Sequence, residues 1–212
     1  MPGYYVHLAS TNQVARRNSS FLKGVEMPDL LKTYLKRYGL VKARKRYNDL
    51  KTPDMPDFSF FERRVQEKDN DEENGMHYGS SAKPNFHLFW DSLTEEEKNS
   101  PFYRGYLWHL LTDYYAYQTL DLFSDIDINL LHDDWDRINV YIKSFYPDVE
   151  LPLEVKNLGL VRFNDDNMFN YVDPTHISEI IDYLKTFDML NDNPDIIMDE
   201  IMNKVQEKKS RK

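Results

Sequence analysis

PFYRGYLWHLLTDYYAYQTLDLFS, residues 101–124, is the longest stretch of this chain that reads as a single helix. Phe102, Tyr106, Leu110, Tyr114 and Tyr117 recur at three- and four-residue spacing, and no proline follows Pro101. His109 and Asp113 stand four apart, so one helical face presents an imidazole and a carboxylate a turn from each other. Gly105, a turn earlier on that face, costs helix stability and predicts close approach by another backbone or a ligand. Leu107, Leu110 and Leu111 surround the pair. An unpaired carboxylate is expensive in such a setting, and either a hydrogen bond between the two residues or a bound cation offsets the cost.

Working outward, 212 residues suit one large domain or two small ones, and a hydrophobic fraction of 41% is enough for a sizeable core. The formal net charge of -9 argues against a stable nucleic-acid complex, because the phosphate backbone selects basic surfaces. Without cysteine the chain has neither disulfides nor thiolate metal ligands, so a metal here would have to be held by His, Asp or Glu. The opening MPGYYVHLAS has no basic segment ahead of a long apolar run, so no secretory signal is expected. No run of eighteen apolar residues predicts a membrane span, and a cytoplasmic protein is the default expectation. The oligomeric state is left open.

On either side of the central helix the pattern predicts further helices. Residues 8–17 read as the first. Ser19-Ser20 offers a cap for FLKGVEM, and Pro28 is expected to begin LLKTYLKRY, which Gly39 stops. Lys36, Arg37, Lys42, Arg44, Lys45 and Arg46 suit a solvated helix face, or contact with anionic head groups or phosphates. The acidic run QEKDNDEENG, residues 66–75, reads as a loop, and a short helix is expected to begin at Pro84. Ser100 and Pro101 cap and open the central helix, and a turn is expected at 124–127. LLHDDWDRINVYIKSFY follows as an amphipathic helix ended by Pro147. THISEIIDYLKTFDML, with Thr175 or Ser178 near its cap, and a last helix begun by Asn193-Pro194 close the chain. Strand-like alternation is sparse. The expectation is an all-α, single multi-helix domain over residues 1–212, with 147–212 as a C-terminal helical extension.

The remaining histidines and acids each have a bland reading. Asp29 follows Pro28, where a helix N-terminus favours a carboxylate. His77 in MHYG suits an exposed loop, and His7 after YYV suits a buried imidazole bonded to backbone. His87 reads as a surface residue and His176 as part of a helix start. Arg104 can reach a phosphate bidentately or pair with an acid such as Glu97.

Taken together, His7 in YYVHLA, Pro28-Asp29 in GVEMPDL, His77 in MHYG and His109/Asp113 in GYLWHLLTD resemble the zinc-dependent phospholipase C family. These are all-helical hydrolases related in fold to the single-strand-specific zinc nucleases. The resemblance covers roughly residues 1–145. It implies that Asp29, His77, His109 and Asp113 surround one zinc, with Asp113 able to bridge to a second ion near His7. His132 and Asp136 repeat the four-residue spacing and look like the family's later His-x-x-x-acid pair. The implied activity is attack of a zinc-bound hydroxide on a phosphodiester or related phosphate ester, with Asp29 and Asp113 as catalytic carboxylates. Zinc lowers the pKa of bound water to about 7 and stabilises charge on phosphoryl oxygens. The substrate would be a small molecule or a lipid, with Arg104 and Tyr117 as candidate substrate contacts. Manganese or iron would also suit an Asp/His donor set.

Tyr117 departs from the family pattern, because many members carry a further histidine a turn past the aspartate. The departure motivates a second expectation: a non-catalytic member that keeps the metal for structure and serves as a binding or scaffold protein. A helical phosphohydrolase of the HD type is a third, resting on the single adjacent doublet His132-Asp133.

Overall fold

The computed structural model describes residues 3–66, 75–120, 126–166 and 168–211. The acidic run at 66–75, apart from its two ends, and the first half of the turn expected at 124–127 lie outside the described residues. The chain is mainly helical. Its first half holds α1 (Tyr4–Ser10), α2 (Gln13–Arg16), α3 (Ser19–Tyr38), α4 (Leu40–Leu50) and α5 (Ser59–Glu62). A two-residue antiparallel pair, β1 (Gly79–Ser80) with β2 (Lys83–Pro84), is the one sheet among the described residues. Then come α6 (Phe86–Asp91), α7 (Glu95–Asn99) and α8 (Pro101–Leu120). The second half holds α9 (Ile128–Phe145), α10 (Leu153–Asn157), α11 (Pro174–Leu184) and α12 (Pro194–Ser210). No helix among the described residues is long and apolar enough to cross a membrane.

The central element is α8, buried on nearly every face, with α1, α3, α6, α7, α11 and α12 packed around it. Ser100 opens it: its Oγ accepts from the Phe102 amide at 3.2 Å, and its carbonyl accepts from Arg104. A helix surrounded on all sides has no polar stripe, and the sequence has none between Tyr106 and Leu111.

Against it lies α3, and this helix runs straight through the point where the sequence predicts a start. Asn18 caps it by accepting from the Phe21 amide at 3.0 Å, Pro28 lies inside it, and Gly39 ends it at φ 77°. Proline has no N–H to give to the carbonyl four residues back, here that of Gly24. The helix continues through it while packed along α8. Gly24 and Gly105 face each other at the crossing. A Cβ on Gly105 would run into the Phe21 carbonyl oxygen, and one on Gly24 into the Phe102 carbonyl oxygen. The close backbone approach predicted from Gly105 is this crossing.

Other boundaries shift for local reasons. The expected first helix over 8–17 is two short helices, beginning at Tyr4 and broken at Thr11-Asn12, where the Asn12 side chain caps α2. The helix expected at Pro84 begins at Phe86 with Asn85 as its cap, because Pro84 belongs to β2. Asp173, rather than Thr175 or Ser178, caps α11, with Pro174 in its first turn.

The part after residue 147 shares the core. Ile177, Ile180, Ile181, Leu184, Ile197, Met198, Ile201 and Val205 are buried in one cluster with Leu107, Leu110 and Leu111. Residues 170–172 are pinned to α9 by Asp134. This fully buried carboxylate accepts from the amides of Asn170, Tyr171 and Val172 at 2.6–3.1 Å and from Arg137 at 3.1 Å.

Candidate metal centre

Five of the sequence's candidate residues come together where α1, α3 and α8 meet the turn before β1. His7 lies on α1, Asp29 on α3, and His109 and Asp113 on α8; all four are buried, as is His77. The Gly24–Gly105 crossing sets the spacing. Val25 and Asp29 follow Gly24 along α3, His109 and Asp113 follow Gly105 along α8, and the two series face each other a turn beyond the contact.

The Val25 carbonyl oxygen lies 2.8 Å from His109 Nδ1. A carbonyl only accepts, so the proton sits on Nδ1 and the Nε2 lone pair faces inward. Burial holds the His109 imidazole well below its ordinary pKa; His7 and His77 push it the same way, and the Val25 hydrogen bond only partly opposes them. The ring is therefore neutral, the form in which imidazole ligates metals, and the backbone hydrogen bond at its other nitrogen is the usual orienting contact of a metal-bound histidine.

Asp113 divides its oxygens. Oδ1 lies 3.3 Å from His7 Nε2, while Oδ2 lies 3.3 Å from His77 Nε2 and 3.6 Å from His109 Nε2. The His7 ring stacks on that of His109 at 4.0 Å. The two inward nitrogens of His77 and His109 are 3.1 Å apart, and Asp29 Oδ1 is 3.7 Å from His77 Nε2. These distances are short, yet Asp29 Oδ1, both oxygens of Asp113 and both ring nitrogens of His7 are buried without a hydrogen-bond partner. Buried carboxylate oxygens without donors cost several kcal/mol for each ion left uncompensated in a protein interior. A dication between them and the imidazoles removes that cost, so the donor set fits a metal ion. Two overlapping triads can hold one: His7 with His109 and Asp113, and Asp29 with His77 and His109. Burial pushes the Asp29 carboxyl up to about 6; Asp113 adds to the rise, and His77 and His7 pull against it.

Backbone geometry places His77. Tyr106 donates its hydroxyl to the Met76 carbonyl, Tyr78 takes a left-handed φ of 54°, and Gly79 follows at φ 147°. A tyrosine in this conformation costs about 1–3 kcal/mol, and the Arg64 guanidinium 3.5 Å over its ring helps to hold it.

Of the remaining candidates, Tyr117 is buried a turn past Asp113, its phenol pushed upward by burial and by the charges of Asp113 and Asp29. It stays protonated and is a donor, not an imidazole-like ligand. His132 and Asp136 lie on α9, outside both triads, where they line a cleft of about 310 Å³ together with Asp29. Arg104, the candidate substrate contact, is engaged elsewhere. Its guanidinium donates to the carbonyls of Lys98, Met189, Leu190 and Asp192, so it clamps the loop before α12 onto α8. It stands five positions before His109, which turns it about 140° away around the helix.

The cleft also contains residues that the sequence reading passed over: Tyr4, Trp135 and Asn139 line it, and Tyr4 Oη, Trp135 Nε1 and Asn139 Oδ1 are buried without partners. The signal was present on α9, where His132, Trp135, Asp136 and Asn139 have the spacing of a single helical face. Compared with protein-family models, curated proteins and solved structures, the chain matches none.

Proposed function

We propose that the protein is a metal-dependent hydrolase, with zinc as the preferred ion, acting on a phosphodiester or related phosphate ester. This agrees with the zinc-dependent phospholipase C resemblance carried by His7, Asp29, His77, His109 and Asp113. The observation that carries the reading is the position of Asp29, which belongs to a buried donor triad and also lines the cleft. A substrate in that cleft would lie against Asp29, beside Tyr4, Trp135 and Asn139.

A zinc ion held by these residues would lower the pKa of a water molecule and offset charge on phosphoryl oxygens. The residues do the rest. His109, fixed by Val25, keeps its lone pair directed inward. Asp113, with one oxygen toward His7 and the other toward His77 and His109, ties the two triads together. Asp29, at the cleft wall, is placed to orient a water and take its proton, and Tyr117 can donate a hydrogen bond beside the carboxylates.

The test is turnover of bis(p-nitrophenyl) phosphate by protein supplied with zinc, against the Asp113→Asn variant. Hydrolysis that needs the metal and falls at least a hundredfold in the variant supports the reading. A second reading, a structural metal in a binding protein, is favoured by the near-complete burial of all five donors. It predicts no turnover, and a melting temperature that falls on chelation.

A further inference from the structure

Next to the cleft beside Asp29 is a second groove of about 400 Å³, lined by Thr33, Lys36, Arg37, Gly159, Leu160 and Arg162. Leu160 and Arg162 line both, so Arg162 stands at the junction. No carboxylate is among the groove's described lining residues. In a chain of net charge -9, three cations around one groove are a local reversal of sign. They are also available. The other arginines of this basic stretch are engaged, Arg44 with Glu62 and Arg46 with Glu154 at 2.6 Å. Arg162 and Lys36 make no ion pair among the described residues, and Arg37 gives one N–H to the Leu158 carbonyl. Asp136 lies in the field of Arg162, which pulls its carboxyl down against the rise caused by burial.

The helix supplies a ruler. Asp29, Thr33 and Lys36 follow one another on one face of α3, and seven residues of helix rise about 10 Å. A ligand reaching from the metal donors to Lys36 and Arg162 therefore spans about that distance. At its Asp29 end it would lie in the cleft that Tyr4, Trp135 and Asn139 also line.

Resting on the hydrolase reading, we infer that the substrate carries a second phosphate group about 10 Å from the scissile one, bound by Arg162 with Lys36 and Arg37. A guanidinium matches a phosphate monoester bidentately, and neighbouring cations in a concave site add to its field.

The experiment measures the affinity of zinc-supplied protein for alkane-α,ω-diol bisphosphates of increasing length and for the matching monophosphates. The expected result is a preference of at least tenfold for a bisphosphate, greatest near the six-carbon diol. Arg162→Gln or Lys36→Gln should reduce that preference several-fold, and Lys45→Gln, away from the groove, should leave it intact. Cosedimentation with phosphatidylcholine vesicles containing phosphatidylinositol bisphosphate, lost in Arg162→Gln, would assign the second phosphate to a lipid headgroup; binding of the free bisphosphates alone would assign it to a soluble molecule. Equal affinities for mono- and bisphosphates along the whole series, or equal effects of Arg162→Gln and Lys45→Gln, overturn the inference. Failure of the hydrolase reading shows separately, as absent turnover of bis(p-nitrophenyl) phosphate.

Discussion

His109 Nδ1 lies 2.8 Å from the carbonyl oxygen of Val25, and the two residues belong to helices that cross at a pair of glycines. The hydrogen bond depends on the crossing. Without side chains at Gly24 and Gly105 the two backbones come close enough for an imidazole on one helix to reach a carbonyl of the other. Packing and site chemistry are thus one feature of the fold.

Gly105→Ala tests that connection. The added methyl gains helix propensity of about 1 kcal/mol, but it would run into the Phe21 carbonyl oxygen and lie 3.1 Å from the Val25 nitrogen. Both obstacles are backbone, so the helices must separate, at a cost of about 1–3 kcal/mol typical of overpacking, or more. Urea unfolding should show a net loss of stability. Zinc affinity, measured by competition with a chromophoric chelator, should fall about 10–100-fold, as when a ligand histidine loses its orienting partner. Unchanged affinity in a destabilised variant would separate the crossing from the site.

Asp134 offers a test of what holds residues 170–172 on α9. Its carboxyl is desolvated, which raises its pKa, but donation from the Tyr171, Asn170 and Val172 amides outweighs that and holds it below the usual range. A depressed folded pKa means stability that is present above about 4, the unfolded value, and lost as pH falls through the folded value. Asp134→Asn turns one acceptor into an NH₂ group facing amide donors. It should lower stability at pH 7 by about 3 kcal/mol, as expected for a broken buried charge network. Chemical denaturation at pH 7 and pH 3 checks both sign and size, because the difference between variant and parent should shrink in acid.

Glu26 has the opposite sign. It is buried on α3, its Oε2 lacks a hydrogen-bond partner, and Lys23 stays 3.8 Å away. Burial pushes its carboxyl up to about 7; Lys23 pulls against this and Glu154 adds to it. A raised folded pKa means that this group's contribution to stability declines as pH climbs from about 4.3 to 7. Glu26→Gln should therefore melt higher than the parent at pH 8 and close to it at pH 4. Parallel melting curves of parent and variant between those pH values would show that Glu26 is not held in this state.

The same physics explains what the sequence made legible. The all-helical class and the central helix follow from apolar spacing, and Gly105 announced a close approach because glycine in an apolar helix has few other uses. His109 and Asp113 were visible as a pair because both are on one helix. Their convergence with His7, Asp29 and His77 has no local signature; it came from the family resemblance. Pro28 misled, because a proline normally opens a helix, and α3 continues through it while packed along α8. The carbonyl partners of Arg104 at 189–192 lie far along the chain and leave no local mark. Asp134 went unnoticed between His132 and Asp136, since its donors are backbone amides, which leave no mark in sequence.

The central claim is that five side chains from three helices and a turn converge on a cation. An anomalous difference map, recorded at the zinc edge from crystals grown with zinc, tests it most directly. The account predicts a peak among His7, Asp29, His77, His109 and Asp113, with nitrogen and oxygen ligands at about 2.0–2.2 Å. A map with no peak there, from protein that also takes up no metal in solution, would contradict it.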